Sequence, residues 1–441
     1  MRAFAKAACG RVLASLLVVV SGGCASYRPL PLASHPDLAP RVEDLQGADG
    51  VHAPYDEAAV LRLVWINNPT LAAARDQRGI AQAEVLDASI LPNPSVQANL
   101  GFLVSGAGDV PAWSAGFAQS LQGLVARGAR RDEARASASS TDAQLLWESW
   151  VALSRARQLV VDIVDGERRL ALQEASAERL ASRAASLRTA VARGDEASGA
   201  ASAVFVAASD ARTACDDARH TLRAQRGELA GMMRLSPDAP LPLAPLPPLP
   251  PFDVAQAEST IASMGEHRPD LAALRFGYAA QEARLRGAIL SRFAPLSIGM
   301  NASRDSSKVL NIGPAVSFDL PLFDRQQGKI AMAEATRQQL HDEYTARIDA
   351  AAADARVLLA SIVVNEVAAR EVTDTAPLDA ASRAFARGDI DASTYGDLSV
   401  ATLGQVANDV TRDLYRREQR IALDALTGAG LPDSLPPRMN P

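Results

Sequence analysis

The sequence predicts a mainly α chain with a small membrane-type β region, built from four strands and long antiparallel helices per subunit. Two observations carry this: long alanine-rich stretches without proline, and short runs in which apolar residues alternate strictly with small or polar ones. A third is internal repetition. Asn68-Pro69-Thr70-Leu71-Ala72-Ala73 recurs as Arg268-Pro269-Asp270-Leu271-Ala272-Ala273, and Ala192-Arg193-Gly194-Asp195 recurs as Ala386-Arg387-Gly388-Asp389. Repeats this long are duplications of a large module rather than solenoid units. The chain divides into a signal peptide (1–23), a lipidated extended segment (24–54), a first unit (55–236), a Pro-rich linker (237–257), a second unit (258–430) and a tail (431–441).

The 441 residues are 48% hydrophobic and 22% charged but only 5% aromatic, with a net charge of -6. That balance suits close-packed helices and gives no basic footprint for nucleic acid. Three cysteines are too few for a disulfide scaffold, and five scattered histidines outline no metal site. No phosphate loop, dinucleotide fingerprint or nucleophile elbow is present, so the sequence points to no enzyme, no catalytic residue and no cofactor.

Met1 to Arg11 is positive, Leu13 to Val20 is apolar, and Ser21-Gly22-Gly23-Cys24 follows. The apolar run is too short to span a bilayer, and it reads as an export signal. Small residues before Cys24 suit a peptidase that needs a narrow backbone. The Cys24 thiol then offers a site for lipid attachment.

Each unit then runs helix, strand pair, long helix, turn, helix. Tyr55 to Ser89 is helical with an interruption at Asn67-Asn68-Pro69, where Pro69 opens a new helix. Pro92 and Pro94 end it. A strand pair follows over about 94–121. Ala126 to Arg193 is one long helix, Gly194 turns the chain, and Ala200 to Met233 returns. The Pro-rich run from Pro237 to Pro251 reads as an extended linker. In the second unit Pro269 to Arg292 is helix, and a strand pair occupies about 295–321. Gln326 to Arg387 is a long helix perturbed at Pro377, Gly388 turns the chain, and Ser393 to Leu426 returns.

The strand pairs are two-faced. Leu100, Phe102, Trp113, Phe117, Ile298, Met300, Ile312 and Phe318 fall on an apolar face, and Gln97, Asn99, Asn301, Asn311 and Asp319 on a polar one. A soluble sandwich shows the same period. These runs, however, approach the ~9–11 residues that a tilted strand needs to cross a bilayer. The connectors Ser105 to Asp109 and Arg304 to Lys308 are polar. Four strands cannot close a barrel, and open edges are forbidden in lipid. Membrane placement therefore demands other subunits, and three copies would give 12 strands.

Several stretches carry a family resemblance. They are Cys24-Ala25-Ser26-Tyr27, Asn67-Asn68-Pro69-Thr70-Leu71, Leu91-Pro92-Asn93-Pro94, and Phe318-Asp319-Leu320-Pro321-Leu322-Phe323-Asp324 with Gly328-Lys329. With them the chain resembles the outer membrane efflux protein family, the trimeric channel-tunnels of the TolC type. It is most similar to the lipoprotein branch that serves tripartite efflux pumps.

The resemblance implies a trimeric 12-stranded outer-membrane β-barrel continuous with a periplasmic α-helical barrel. It implies a passive exit duct, a homotrimer in outer membrane lipid, and coupling to a periplasmic adaptor and an inner-membrane transporter. Leu320, Pro321, Leu322, Phe323 and Asp324 would form the barrel-to-helix corner, with Gly128-Ala129-Arg130 as a partial counterpart in the first unit. The turns Arg193-Gly194-Asp195 and Arg387-Gly388-Asp389 would contact the adaptor. Asp210, Asp216, Asp217, Asp397 and Asp409 are candidates for an acidic ring near the tip. The alternative reading is a lipid-tethered structural or adhesive periplasmic protein without a channel.

Overall fold

The computed structural model describes residues 27–292, 296–368 and 376–429. Cys24, the signal segment and the tail from 430 lie outside the described residues. The chain forms two compact units, 1–38 and 39–441. In the first, residues 27–38 are exposed and form no helix or strand.

The second unit opens with a 3-10 turn at Val42–Asp44 and then α1 (Glu57–Asn67) and α2 (Pro69–Ser89). Asp56 starts α1 by accepting from the Ala59 amide at 2.8 Å. Asn68 breaks the two apart, and its side chain accepts from the amides of Thr70 and Leu71 at 3.0 and 3.1 Å. It caps α2, whose first residue is the proline that needs no amide partner. Next come β1 (Ser95–Gly101), β2 (Ala112–Ser120), α3 (Leu121–Arg193) and α4 (Ser198–Met232). After the Pro-rich run lie α5 (Val254–His267), α6 (Pro269–Leu290), β3 (Leu296–Arg304) and β4 (Leu310–Phe318). The chain closes with α7 (Gln327–Ala368), α8 (Ala376–Arg387) and α9 (Ala392–Thr427).

α3 has 73 residues, roughly 110 Å at ~1.5 Å per residue. It starts at Leu121 rather than Ala126, because Ser120 Oγ accepts from the Gly123 amide and caps it. Gly123 lowers helix propensity in this first turn. Gly128-Ala129-Arg130 lies inside α3, as Gly328-Lys329 lies inside α7. The described parts of the expected helix Gln326 to Arg387 are α7 and α8, and the residues between them lie outside the described ones. Pro377 lies in α8.

The strands form one antiparallel sheet of order β1-β2-β3-β4. Among the described residues both edges, β1 and β4, are therefore unpaired.

A core formed by Val60, Leu63 and Val64 of α1, Leu159, Val160 and Ile163 of α3, and Leu229 and Met233 of α4 anchors the first half. Two expected extended stretches take part in it. Val42, Leu45 and Tyr55 are buried there, and so is Leu241 of the Pro-rich run. The Ala39 and Tyr55 amides donate to Arg234 O and Pro242 O at 2.8 and 2.9 Å. Residues 39–54 and the linker are thus packed against each other. Their apolar side chains and free backbone groups find partners that composition alone does not show. A second core joins Ile261 and Met264 of α5, Leu359 and Ile362 of α7, and Leu423 of α9.

Candidate functional site

Directly opposed residues of an antiparallel sheet point to the same face. The pairs Leu100↔Trp113, Phe117↔Met300 and Ile298↔Val316 put the apolar candidates on one face. Ile312 opposes Ala302, and Phe318 opposes Leu296, on that face too. Asn99↔Ser114, Gln97↔Gly116, Gly116↔Asn301 and Ser303↔Asn311 put the polar candidates on the other. Phe102 and Asp319 lie just beyond the ends of β1 and β4.

The apolar face is uncovered in the single chain. Val96 is 80% exposed, Leu100 63%, Ile312 68% and Val316 64%. A contiguous apolar surface of this kind needs an apolar environment. Arg304 stands at the turn end of that face and Gln119 at the helix end, so the polar exceptions sit at its two rims. On the polar face Gly299 is obligatory, since a Cβ there would come within 1.9 Å of the Phe117 carbonyl oxygen.

Leu320, Leu322 and Phe323 of the corner are exposed, Phe323 at 92%. Pro321 lies between them, and the Asp324 carboxylate accepts from the Gln326 amide at 2.8 Å to start the turn into α7.

The two tight turns share one geometry. Gly194 (φ 78°) and Gly388 (φ 80°) are left-handed, the conformation glycine adopts without strain. Asp195 and Asp389 amides return to Ala190 O and Ala384 O at 3.0 and 2.9 Å. Arg387 pairs with Asp389 at 2.8 Å, and Arg193 and Asp195 are exposed. The Arg183 guanidinium binds Asp397 and donates to Ser393 Oγ at 2.9 Å, so α3 and the start of α9 meet near both turns.

Among the acidic candidates, Asp397 is thus held by Arg183. Asp216 pairs with Arg219 at 2.7 Å, and Asp409 with Arg412. Asp210 and Asp217 are exposed on α4.

Sequence reasoning missed the charged groups along the contact between α3 and α9. At its upper end Arg268 forms a buried two-point ion pair with Asp270 at 3.0 and 2.7 Å. It also donates to Leu426 O at 2.7 Å and lies 5.0 Å from the Trp147 ring centroid. Trp150 donates to Ala425 O at 3.3 Å. These donors satisfy carbonyls that the end of α9 leaves open.

Below, Arg157 binds Asp424 at 3.1 Å, and Arg417 approaches Asp165 at 3.8 Å. Between them lie Asp162 of α3 and Glu418 of α9, each within electrostatic reach of the other. Burial, and then the hydrogen bond and charge of Asp162, push Glu418 up to about 7. Burial also raises Asp162, Asp165 and Asp424. Only the second repeat's Arg-Pro-Asp spacing hinted at any of this, since its Arg and Asp are close enough in sequence to pair.

No protein-family model matches the chain and no curated protein matches it either. Solved structures do. The Campylobacter jejuni CmeC outer membrane channel is similar at TM-score 0.67 and 11% identity, covering 93% of this chain and 96% of that one. A membrane protein from Pseudomonas aeruginosa gives 0.66 and 16%, covering 92% and 99%. The open-state MtrE outer membrane channel of Neisseria gonorrhoeae gives 0.62 and 14%, covering 92% and 98%. The chain therefore has the mainly helical fold with a small antiparallel sheet that these channels share, as the resemblance implied.

Proposed function

We propose that the chain is the outer membrane channel of a tripartite efflux pump. In this reading it is a passive exit duct fed by an inner-membrane transporter through a periplasmic adaptor. The observation that carries the reading is a short, two-faced, open-edged sheet continuous with helices of up to 73 residues, on a fold shared with outer membrane channels. In lipid the apolar face is satisfied and the open edges are not. Pairing β1 with β4 of a neighbouring copy removes both edges, and three copies give a closed 12-stranded wall.

Leu100, Phe102, Trp113, Phe117, Ile298, Met300, Ile312 and Phe318 then face lipid. Gln97, Asn99, Asn301, Asn311 and Asp319 line a wet lumen. Leu320 to Asp324 mark the periplasmic boundary. The Arg193-Gly194-Asp195 and Arg387-Gly388-Asp389 turns form the far end and meet the adaptor, and Cys24 carries the lipid. The Arg183–Asp397 tie holds the two hairpins together there, so its loss loosens the tip. A tethered structural protein would leave the exposed apolar face without purpose.

The test places arginine on each face of β3 in turn. Met300→Arg puts a charge into lipid at a cost of about 2–4 kcal/mol near the midplane, and it should abolish outer-membrane assembly. Asn301→Arg should assemble normally. Equal tolerance of both would contradict the reading.

A further inference from the structure

We propose that the corner between β4 and α7 holds the headgroup of an anionic phospholipid on Arg292 and Arg325. The two strand-to-helix passages of the chain differ. β2 runs into α3 without a break, from Ser120 to Leu121, whereas residues 319–326 separate β4 from α7. Beside this longer link lies a cavity of about 460 Å³, lined by Arg292, Leu322, Phe323, Arg325, Ile330 and Glu334 among others. That volume is within the roughly 300–1,000 Å³ of sites that hold small ligands.

Both sides of the cavity are fixed by hydrogen bonds. The Gln327 side chain accepts from the Arg325 amide at 2.7 Å and donates to Phe323 O at 3.2 Å, which ties the link to the start of α7. The Arg292 amide donates to Ile289 O at 3.1 Å at the end of α6. Two guanidinium groups thus line one cavity from two elements. Among the described residues neither pairs with a carboxylate. Asp324 accepts from the Gln326 amide instead, and Glu334, the acid of the lining, lies further along α7. Lys329 adds an exposed cation in the first turn of that helix.

Phosphate suits a pair of arginines, because a guanidinium can give it two parallel hydrogen bonds. The rest of the corner calls for acyl chains. Leu320, Leu322 and Phe323 are exposed, Phe323 almost wholly, and neighbouring apolar side chains left open in this way need an apolar partner. A free phosphate would leave them in water. A phospholipid covers them and neutralises the arginines together. In the channel reading, on which this inference rests, Leu320 to Asp324 mark the periplasmic boundary. That is the depth at which phospholipid headgroups stand and at which basic pockets select anionic ones.

The test uses the full chain in detergent, equilibrated with phosphatidylglycerol or with phosphatidylcholine and then washed, with the retained lipid read by mass spectrometry. The wild type should retain phosphatidylglycerol in preference. Arg292→Gln combined with Arg325→Gln should reduce that preference about tenfold or more. Arg292→Lys combined with Arg325→Lys keeps the charge and should restore part of it. Excess inorganic phosphate should displace little of the lipid. Complete displacement would make this an anion site without lipid and overturn the proposal. Equal retention of both lipids by the wild type, or an undiminished preference in the Gln pair, would overturn it too. Conductance in planar bilayers separates the inference from the channel reading, since the Gln pair should conduct as the wild type does. A conducting wild type that retains neither lipid defeats the inference alone, and a wild type that does not conduct defeats the reading beneath it.

Discussion

The helices meet along two kinds of contact, and these use charge in opposite ways. Within each half, arginine faces carboxylate. Arg155, Arg219 and Arg226 of the first half bind Glu228, Glu174 and Glu167, and in the second half Glu366 of α7 lies between Arg416 and Arg420 of α9. Between the halves, where α3 meets α9, carboxylates gather. Asp162, Asp165, Glu418 and Asp424 all have raised pKa values, whereas Arg416 and Arg420 outweigh burial and hold Glu366 below its ordinary one. Contacts inside a hairpin are thus built to stay closed at neutral pH. The contact between hairpins carries this excess of carboxyls between Arg268 above and Arg183 below, with Arg157 bound to Asp424 and Arg417 near Asp165 along it.

Arg268→Ala should have the largest effect on that contrast. It strands the Asp270 carboxylate, which is 3% exposed, and frees the end of α9. A loss of about 3–5 kcal/mol is expected, read as a large fall in the thermal midpoint, with Arg268→Lys only partly restoring it. Glu366→Gln should cost about 1.5–3 kcal/mol through its two charge-assisted bonds.

The pH profiles of the two contacts should then have opposite sign. Stability from Glu366 is present above its unfolded pKa and is lost as pH falls through the lower native value. Stability from Glu418 is present in acid and is lost as pH rises toward about 7. Unfolding midpoints of Glu366→Gln and Glu418→Gln across pH would show this: the first variant flattens the acid limb, the second the neutral limb. Arg155→Ala should do least, about 0.2–1 kcal/mol, because both partners are more than two-fifths exposed. A larger effect there than at Arg268 would invert the comparison.

The legible parts were local ones. Period-2 alternation gave β1 to β4 and their faces, because side chains in a strand alternate whatever lies above them. Pro69 and Gly194 marked a helix start and a turn, because each has a conformation few residues match. The contacts between distant helices were not legible. Asp162 and Glu418 are ordinary surface residues by helical pattern, and only the antiparallel meeting of α3 and α9 desolvates them. Val42 and Leu241 looked like parts of extended spacers for the same reason, since their partners lie on α1, α3 and α4.

The central claim, that the sheet lines a shared pore, is tested most directly by the reversal potential of the purified protein in planar bilayers under a salt gradient. The wild type should conduct, and Asn301→Arg should conduct with its selectivity shifted toward anions, because each copy adds a positive charge to the lumen. Absence of conductance in the wild type, or an unchanged reversal potential in Asn301→Arg, would contradict the account.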